Sequence, residues 1–338
     1  MVAAKKPKIA MVYGVTGGRH PQMLGAAVAI NKVFEKEFEV IAHFGFSGGA
    51  IVAALMAADI HQSAGGPEGW IERSTPYGKY GKIGGLFTIA CNIGNLFCKG
   101  GMLNSARLHK MVFKHILGDL RLKKPALCGS WCVSHSREVL MPIWHDPGRS
   151  IACSAALPFA ISPMEVSNKM LLDWGLGDTL TGLAADPQGS SWFADAGISS
   201  SLGVGIIDEA GVVQEAEKIP GQIPIPVIGV NIDPIYHGHD KDFGDKPWYK
   251  KIWEACWGTV RANLHDDIRE SRSERNTQLC VIPTPDDLKF LSTKFNASLE
   301  ENMLLYKTGY AQAQRWLEKT DDKGHTPIET MRLWYSNN

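Results

Sequence analysis

The sequence predicts an α/β protein with a mostly parallel, helix-covered central sheet, and three observations predict it. Short buried-type runs at 8–14 (KIAMVYG) and 38–44 (FEVIAHF) are each followed by a helix-type stretch, at 22–37 and 50–59. The joint between the second run and its helix is Gly45-Phe46-Ser47-Gly48-Gly49, a G-x-S-x-G corner. Two further strand-type runs, at 225–233 (IPVIGVNID) and 277–283, flank a long helical stretch at 248–274. Strand, loop and helix repeated in this order mark parallel strands joined by helical crossovers.

The first strand leads through Val15-Thr16-Gly17-Gly18-Arg19-His20-Pro21 into the first helix. A glycine-bearing loop at the amino end of a helix offers free N–H groups to an anion. Pro21 suits a first helical turn, so the same residues also read as an ordinary βα turn. At Ser47 a strand must turn at once into a helix, which forces the corner residue into a strained backbone conformation. Gly45, Gly48 and Gly49 leave room for the two elements to cross closely. The serine is pushed out at the carboxyl edge of the sheet, at the positive end of a helix dipole, which is the setting of a nucleophile.

Residues 65–101 change character. Trp70, Tyr77, Tyr80, Phe87 and Phe97 surround an apolar run at 86–97 (LFTIACNIGNLF). The region reads either as a cap or access region over the site, or as a helical excursion packed on the core. A helix is expected over 103–117 behind an Asn104 or Ser105 cap, then strands at 126–135 and 138–144 around Ser136-Arg137. Residues 150–163 (SIACSAALPFAISP) read as a short small-residue helix ending against prolines. Two acids follow strand-like apolar runs: Asp173 in MLLDWGLGD and Asp195 in WFADAGISSSLG. A helix over 299–319 closes the pattern, and with no repeat, low-complexity tract or linker, residues 1–338 read as one domain with its core over about 8–320.

Composition narrows the function classes. A 44% hydrophobic share of 338 residues is ample for a sizeable core. Thirty-five basic side chains balance thirty-five acidic ones, so no global field draws in nucleic acid. No stretch reaches the roughly 18 apolar residues of a membrane span, and MVAAKKPKIAMVYG runs into a strand without a cleavage-like site. Seven cysteines without paired C-x-x-C spacing read as reduced thiols, and the spacing of Cys128 and Cys132 suits a metal poorly. A cytoplasmic protein is expected.

A serine hydroxyl is a weak nucleophile until a base takes its proton and something stabilises the developing oxyanion. Of eleven histidines, His237, His239 and His265 fall late enough to serve a Ser–His–Asp arrangement, yet none stands in a context that marks it. His237-Gly238-His239-Asp240 lacks a second cluster of metal ligands. A carboxylate within hydrogen-bond reach of the serine would serve instead, giving a two-residue dyad.

With these residues in view, the chain resembles the patatin-like phospholipases over nearly its whole length. The family's serine corner matches Gly45 to Gly49, and its A-S-x-A-x-P block matches Cys153-Ser154-Ala155-Ala156-Leu157-Pro158, with a further Pro163. Its D-G-[GA] acid motif matches Asp195-Ala196-Gly197, followed by Ile198-Ser199-Ser200-Ser201. Its G-G-G-x-[KR]-G loop falls on Val15 to His20, in a register set by Arg19 and Gly25. Gly309-Tyr310 in the last helix is similar to the family's ending.

The resemblance implies a three-layer α/β/α fold and hydrolysis of a lipid or phospholipid carboxylic ester, with transient contact to a membrane surface. Ser47 would be the nucleophile, Asp195 the base, and N–H groups of the loop Thr16-Gly17-Gly18-Arg19 the oxyanion hole, with no metal or organic cofactor. Arg19 would either meet a phosphate head group or steady the loop. Three departures stand out. Val15, Thr16 and His20 replace glycines, and Val or Thr would be strained if its position required a positive φ. Ala196 replaces the glycine after the acid, and the gap from Pro163 to Asp195 is long. Asp173 sits at the more usual distance but is followed by Trp174, so it stays as the alternative acid. Two other classes stay open: an inactive patatin-fold protein that binds lipid or protein, and a small-ester hydrolase or acyl transferase with a histidine base.

Overall fold

The computed structural model describes residues 6–63, 65–81, 98, 100–117, 119–198, 225–232, 251, 277–285, 287–288 and 296–337. Strand β1 (Lys8–Tyr13) is fully buried from Ile9 onward, as a strand covered on both faces must be. Helix α1 (His20–Phe34) starts earlier than the sequence pattern indicates, with Pro21 in its first turn. Strand β2 (Glu39–Phe46) runs directly into Ser47 and helix α2 (Gly48–Ala57), all of whose residues are buried. Helix α3 (Gly66–Ser74) and a 3-10 stretch, Thr75–Gly81, open the region expected as a cap or excursion. The apolar run at 86–97 lies outside the described residues.

The helix expected over 103–117 begins later, because Gly101–Leu103 forms strand β3. It then comprises α4 (Ser105–Leu108), a π-helical turn (His109–Phe113) and α5 (Lys114–Leu117). Asn104 caps it by accepting the Arg107 N–H. Strands β4 (Ala126–Cys132) and β5 (Arg137–Pro142) form a hairpin, shorter than expected because the chain leaves β4 after Cys132 and turns through Ser136 at φ 50.

The small-residue segment divides in two. Helix α6 (Pro147–Ser154), capped by Asp146, stops at Ser154, and Phe159–Ile161 is strand β6, paired in parallel with β3. Strand β7 (Met164–Ser167) follows, then α7 (Asn168–Asp173), so the run before Asp173 is helical and not strand-like: the Ser167 side chain accepts the Met170 N–H and starts a helix there. Strand β8 (Ser190–Asp195) carries the other acid. Strands β9 (Val227–Ile232) and β10 (Thr277–Ile282) complete the sheet. The helix expected over 248–274 lies outside the described residues apart from position 251. Helix α8 (Leu299–Glu318) opens with a capping box of Ser298 and Glu301, and α9 (Pro327–Asn337) follows.

The eight described strands of the main sheet run β10-β9-β1-β2-β4-β8-β7, with β5 also on β4. The pairings from β10 to β4 are all parallel, helices flank the sheet, and β5 and β8 are both antiparallel to β4. β5 pairs along β4 from Leu127 to Cys132 and so fills one edge. The other edge is shared: β2 pairs with Ala126 to Gly129 and β8 with Ser130 to Cys132. β2 and β8 therefore approach head to head, and their carboxyl ends meet between Gly129 and Ser130. Asp195 thus ends its own strand but does not project from the common carboxyl edge of the parallel strands, because β8 runs against them.

One contiguous set of buried apolar residues extends from Ile9 to Met331. Helix α8 joins it by crossing α1 at two glycines. A Cβ on Gly25 would lie 2.0 Å from the Tyr306 carbonyl oxygen, and one on Gly309 would lie 1.8 Å from that of Gln22. Gly309→Ala is expected to destabilise the chain by about 3 kcal/mol, at the upper end for overpacking. The check is a lower urea midpoint with an unchanged m-value.

Candidate active site

Ser47 sits at φ 53, ψ −123, in the region that favours glycine, at a cost of about 1–3 kcal/mol. The strand has no residue to spare before the helix, so the reversal falls on the serine. The glycines around it are required by contact. A Cβ on Gly45 would lie 2.4 Å from the Gly49 carbonyl oxygen, one on Gly49 would lie 2.3 Å from that of Tyr13, and one on Gly48 would lie 2.1 Å from Thr16 Oγ1. The Ser47 N–H donates to Ser154 Oγ at 2.9 Å, and the Ser154 hydroxyl donates to the Gly129 carbonyl at 2.6 Å. Ser154 is fully buried. It fastens the strained corner to the end of α6 and to β4.

The structure brings Asp195 to Ser47. Both side chains line the same cavity, the Ser47 side chain favours the ionised form of the Asp195 carboxyl, and the Gly197 N–H donates to Asp195 Oδ1 at 2.8 Å. The Asp195 N–H donates to the Ala156 carbonyl at 3.0 Å, so the segment from Ser154 to Ala156 holds the backbones of both residues. Burial pushes the Asp195 carboxyl up to about 6, against the opposing pull of the Ser47 side chain and the Gly197 N–H. Ala196 is accommodated, whereas a Cβ on Gly197 would crowd Val15 at 3.0 Å and Asp195 Oδ1 at 3.1 Å. Residues 199–201 of this motif lie outside the described residues. Asp173 ends α7, exposed to solvent, and does not line the cavity that holds Ser47.

The loop after β1 lies over the start of α2. Its positive φ falls on Gly17 (φ 58), one of the two glycines retained. Val15 and Thr16 therefore carry no such strain, and Thr16 is at φ −127. Among the described residues no acceptor takes the N–H of Gly17 or Gly18, and both residues line the cavity beside Ser47. Thr16 is buried, with its hydroxyl turned to the Gly17 carbonyl. Arg19 is turned away. Its guanidinium is buried and donates to Thr284 Oγ1 at 2.5 Å, beyond the end of β10, and its side chain does not line the cavity. Arg19 anchors the loop to β10; it does not present a cation to a head group.

The cavity has an empty volume of about 1120 Å³, open solvent at its mouth included. Ile51, Leu103, Leu108, Phe113, Leu157 and Ile161 give it an apolar wall. His20, Thr75 and Asn302 give it a neutral polar edge. His20 is the functional candidate that sequence reasoning passed over, since it registered only as a glycine replacement; its place at the end of the glycine-bearing loop beside Ser47 was the available signal. His237, His239 and His265 lie outside the described residues.

Among the described residues Glu35, Asp59 and His61 bring three potential ligand atoms within 4.8 Å of one another. Lys124 Nζ already lies 2.5 Å from Glu35 Oε1 and 3.7 Å from Asp59 Oδ1, so an ammonium supplies the positive charge there. His61 and Lys124 beside it hold the Glu35 carboxyl well below the usual range despite burial.

No family model and no curated protein matches this chain. Among solved structures it is similar to VipD from Legionella pneumophila, at 11% identity and a TM-score of 0.38, over 93% of this chain and 67% of that one. It is also similar to the heterodimeric complex ExoU–SpcU from the type III secretion system of Pseudomonas aeruginosa, at 13% identity and a TM-score of 0.33, over 90% of this chain. The chain spans about half, 52%, of the length of that second protein.

Two outcomes follow from the site. Ionised Asp195 is the disfavoured form, so its contribution to stability is full below about pH 4 and lost as pH rises through about 6. Asp195→Asn escapes that loss and is expected to be about 3 kcal/mol more stable than wild type at pH 8, with the difference fading toward pH 4, as paired urea titrations at the two pH values would record. Ser154→Ala leaves the Ser47 N–H and the Gly129 carbonyl without their buried partner and is expected to cost about 2–4 kcal/mol in the same assay.

Proposed function

We propose that the chain is a lipid acyl hydrolase in which Ser47 attacks the carbonyl of a carboxylic ester and Asp195 accepts its proton. The single observation that carries this reading is the meeting of a serine at a strained strand–helix corner with a buried carboxyl, at the wall of a largely apolar cavity. The N–H groups of Gly17 and Gly18 stabilise the oxyanion of the tetrahedral intermediate. The proton then passes from Asp195 to the departing alcohol oxygen as the acyl–oxygen bond breaks. A water, deprotonated by Asp195, attacks the acyl-serine; the acyl–Oγ bond breaks, the fatty acid leaves, and Asp195 returns the proton to Ser47 Oγ. The residues themselves supply nucleophile, base and oxyanion donors, and the step needs no redox partner.

The acyl chain lies along Leu103, Leu108, Phe113 and Leu157, which favours long-chain esters drawn from a micelle or membrane surface. Among the described residues no helix is long and apolar enough to cross a membrane. We read residues 1–338 as one domain serving this one site.

The inactive-binder reading draws on the eroded glycine loop, yet the position with positive φ keeps its glycine. The histidine-base reading has His20 in the cavity, but the titratable group that feels the Ser47 side chain is the Asp195 carboxyl. The dyad accounts for both observations.

Ser47→Ala is expected to abolish ester release from a lipid extract, with the fold kept as judged by circular dichroism; hydrolysis at the wild-type rate would remove the assignment. A base must be ionised to act, so kcat/KM should rise with pH along one acid limb centred near 6, set by burial of Asp195. A pH–rate profile on a single long-chain ester measures it.

A further inference from the structure

His20 stands where the glycine-loop pattern has its last glycine, and it lines the cavity with Ser47, Gly17 and Gly18. The imidazole is half-buried and set edge-on against Trp70, with ring centroids 6.0 Å apart and an interplanar angle of 80°. Trp70 is itself buried, and its Nε1–H donates to the Ile116 carbonyl at 3.3 Å, so the wall behind the imidazole is fixed. Neither ring nitrogen meets a hydrogen-bonding group among the described residues.

A side chain in this place has three possible uses: base, cation or neutral hydrogen-bonding group. Burial pushes the imidazole down to about 4, so it is neutral near pH 7. A group that binds a proton so weakly is a poor base, and Ser47 already has Asp195. Neutrality also removes the cation that would attract a phosphate. What remains is one N–H donor and one lone-pair acceptor on a rigid ring, a pair that a hydroxyl group satisfies in full. The apolar wall takes the acyl chain, which leaves the polar edge for the alcohol half of the ester.

We infer that His20 is a specificity-determining residue that hydrogen-bonds an uncharged hydroxyl on the alcohol half of the substrate, next to the ester that Ser47 attacks. The substrate class is then a hydroxyl-bearing neutral ester, such as a fatty-acid monoester of glycerol. This rests on the reading of Ser47 and Asp195 as a hydrolytic dyad.

The test compares 1-monooleoylglycerol, which carries free hydroxyls, with ethyl oleate, which has the same acyl chain and none, in matched detergent micelles. The full chain is assayed as wild type, His20→Phe, His20→Gln and Ser47→Ala. Phenylalanine keeps the ring against Trp70 and removes the donor; glutamine keeps a donor and an acceptor. His20→Phe is expected to lose about three- to tenfold in kcat/KM on the glycerol ester, the worth of one neutral hydrogen bond, through KM more than kcat. Its rate on ethyl oleate should stay within about twofold of wild type, and His20→Gln should recover most of the loss.

Equal losses on both substrates, or no loss on either, would overturn the inference. A collapse of kcat in His20→Gln as deep as in His20→Phe would overturn it too, in favour of a base. A dead Ser47→Ala beside an unaffected His20→Phe removes this inference alone; a Ser47→Ala that hydrolyses at the wild-type rate removes the dyad reading and this inference with it.

Discussion

The site depends on one edge of β4. Two strands share that edge from opposite directions, β2 over Ala126 to Gly129 and β8 over Ser130 to Cys132. Because neighbouring residues in a strand are only about 3.3 Å apart, the carboxyl ends of β2 and β8 are forced together. Ser47 and Asp195 are the residues at that junction. Neither strand can continue without entering the other, so one chain turns into α2 and the other into the 3-10 turn at Ala196–Ile198. The serine takes the strained backbone because the helix must begin at the very next residue. Ser154, bonded to Ser47 and to Gly129, ties this corner to the same strand that the two others share.

Crowding decides which glycines the chain can lose. The loop after β1 rests on the first turn of α2, with the Tyr13 and Gly14 carbonyls against Gly49 and Thr16 against Gly48. Those contacts fix the loop from outside, and its one left-handed residue is Gly17. Positions 15, 16 and 20 have ordinary backbone angles and are free to carry side chains. Each has used that freedom differently. Val15 packs against Gly197, Thr16 covers the start of α2, and His20 lines the cavity.

Charge is distributed by the same packing. Asp195 is held in a buried place where its ionised form is disfavoured, which costs stability at neutral pH while raising its affinity for a proton toward the working range of a base. Arg19, two residues from Gly17, is drawn off to Thr284 and leaves the cavity edge to neutral groups. The Glu35, Asp59 and His61 cluster is neutralised by Lys123 and Lys124 and is separate from the serine cavity.

The sequence by itself determined the parallel α/β class, the strand–corner–helix at Ser47 and the three glycines around it. All of these are local: strand runs, helix starts and a sharp turn are written in residues within a few positions of one another, and the strained φ of Ser47 follows from having no linker. The tertiary structure decided what depends on pairing between distant segments. Asp173 and Asp195 follow similar apolar runs, but Ser167 caps one run into a helix while β4 recruits the other as a strand, and only the second arrives at Ser47. Strand β6 was hidden inside an expected helix and β3 met the start of another, because each exists only by pairing with the other. Whether Arg19 faced a ligand or an anchor depended on Thr284, 265 positions away. The fate of His20 depended on where Trp70 packs. Periodicity reads the neighbours along a chain, and these outcomes were set by neighbours in space.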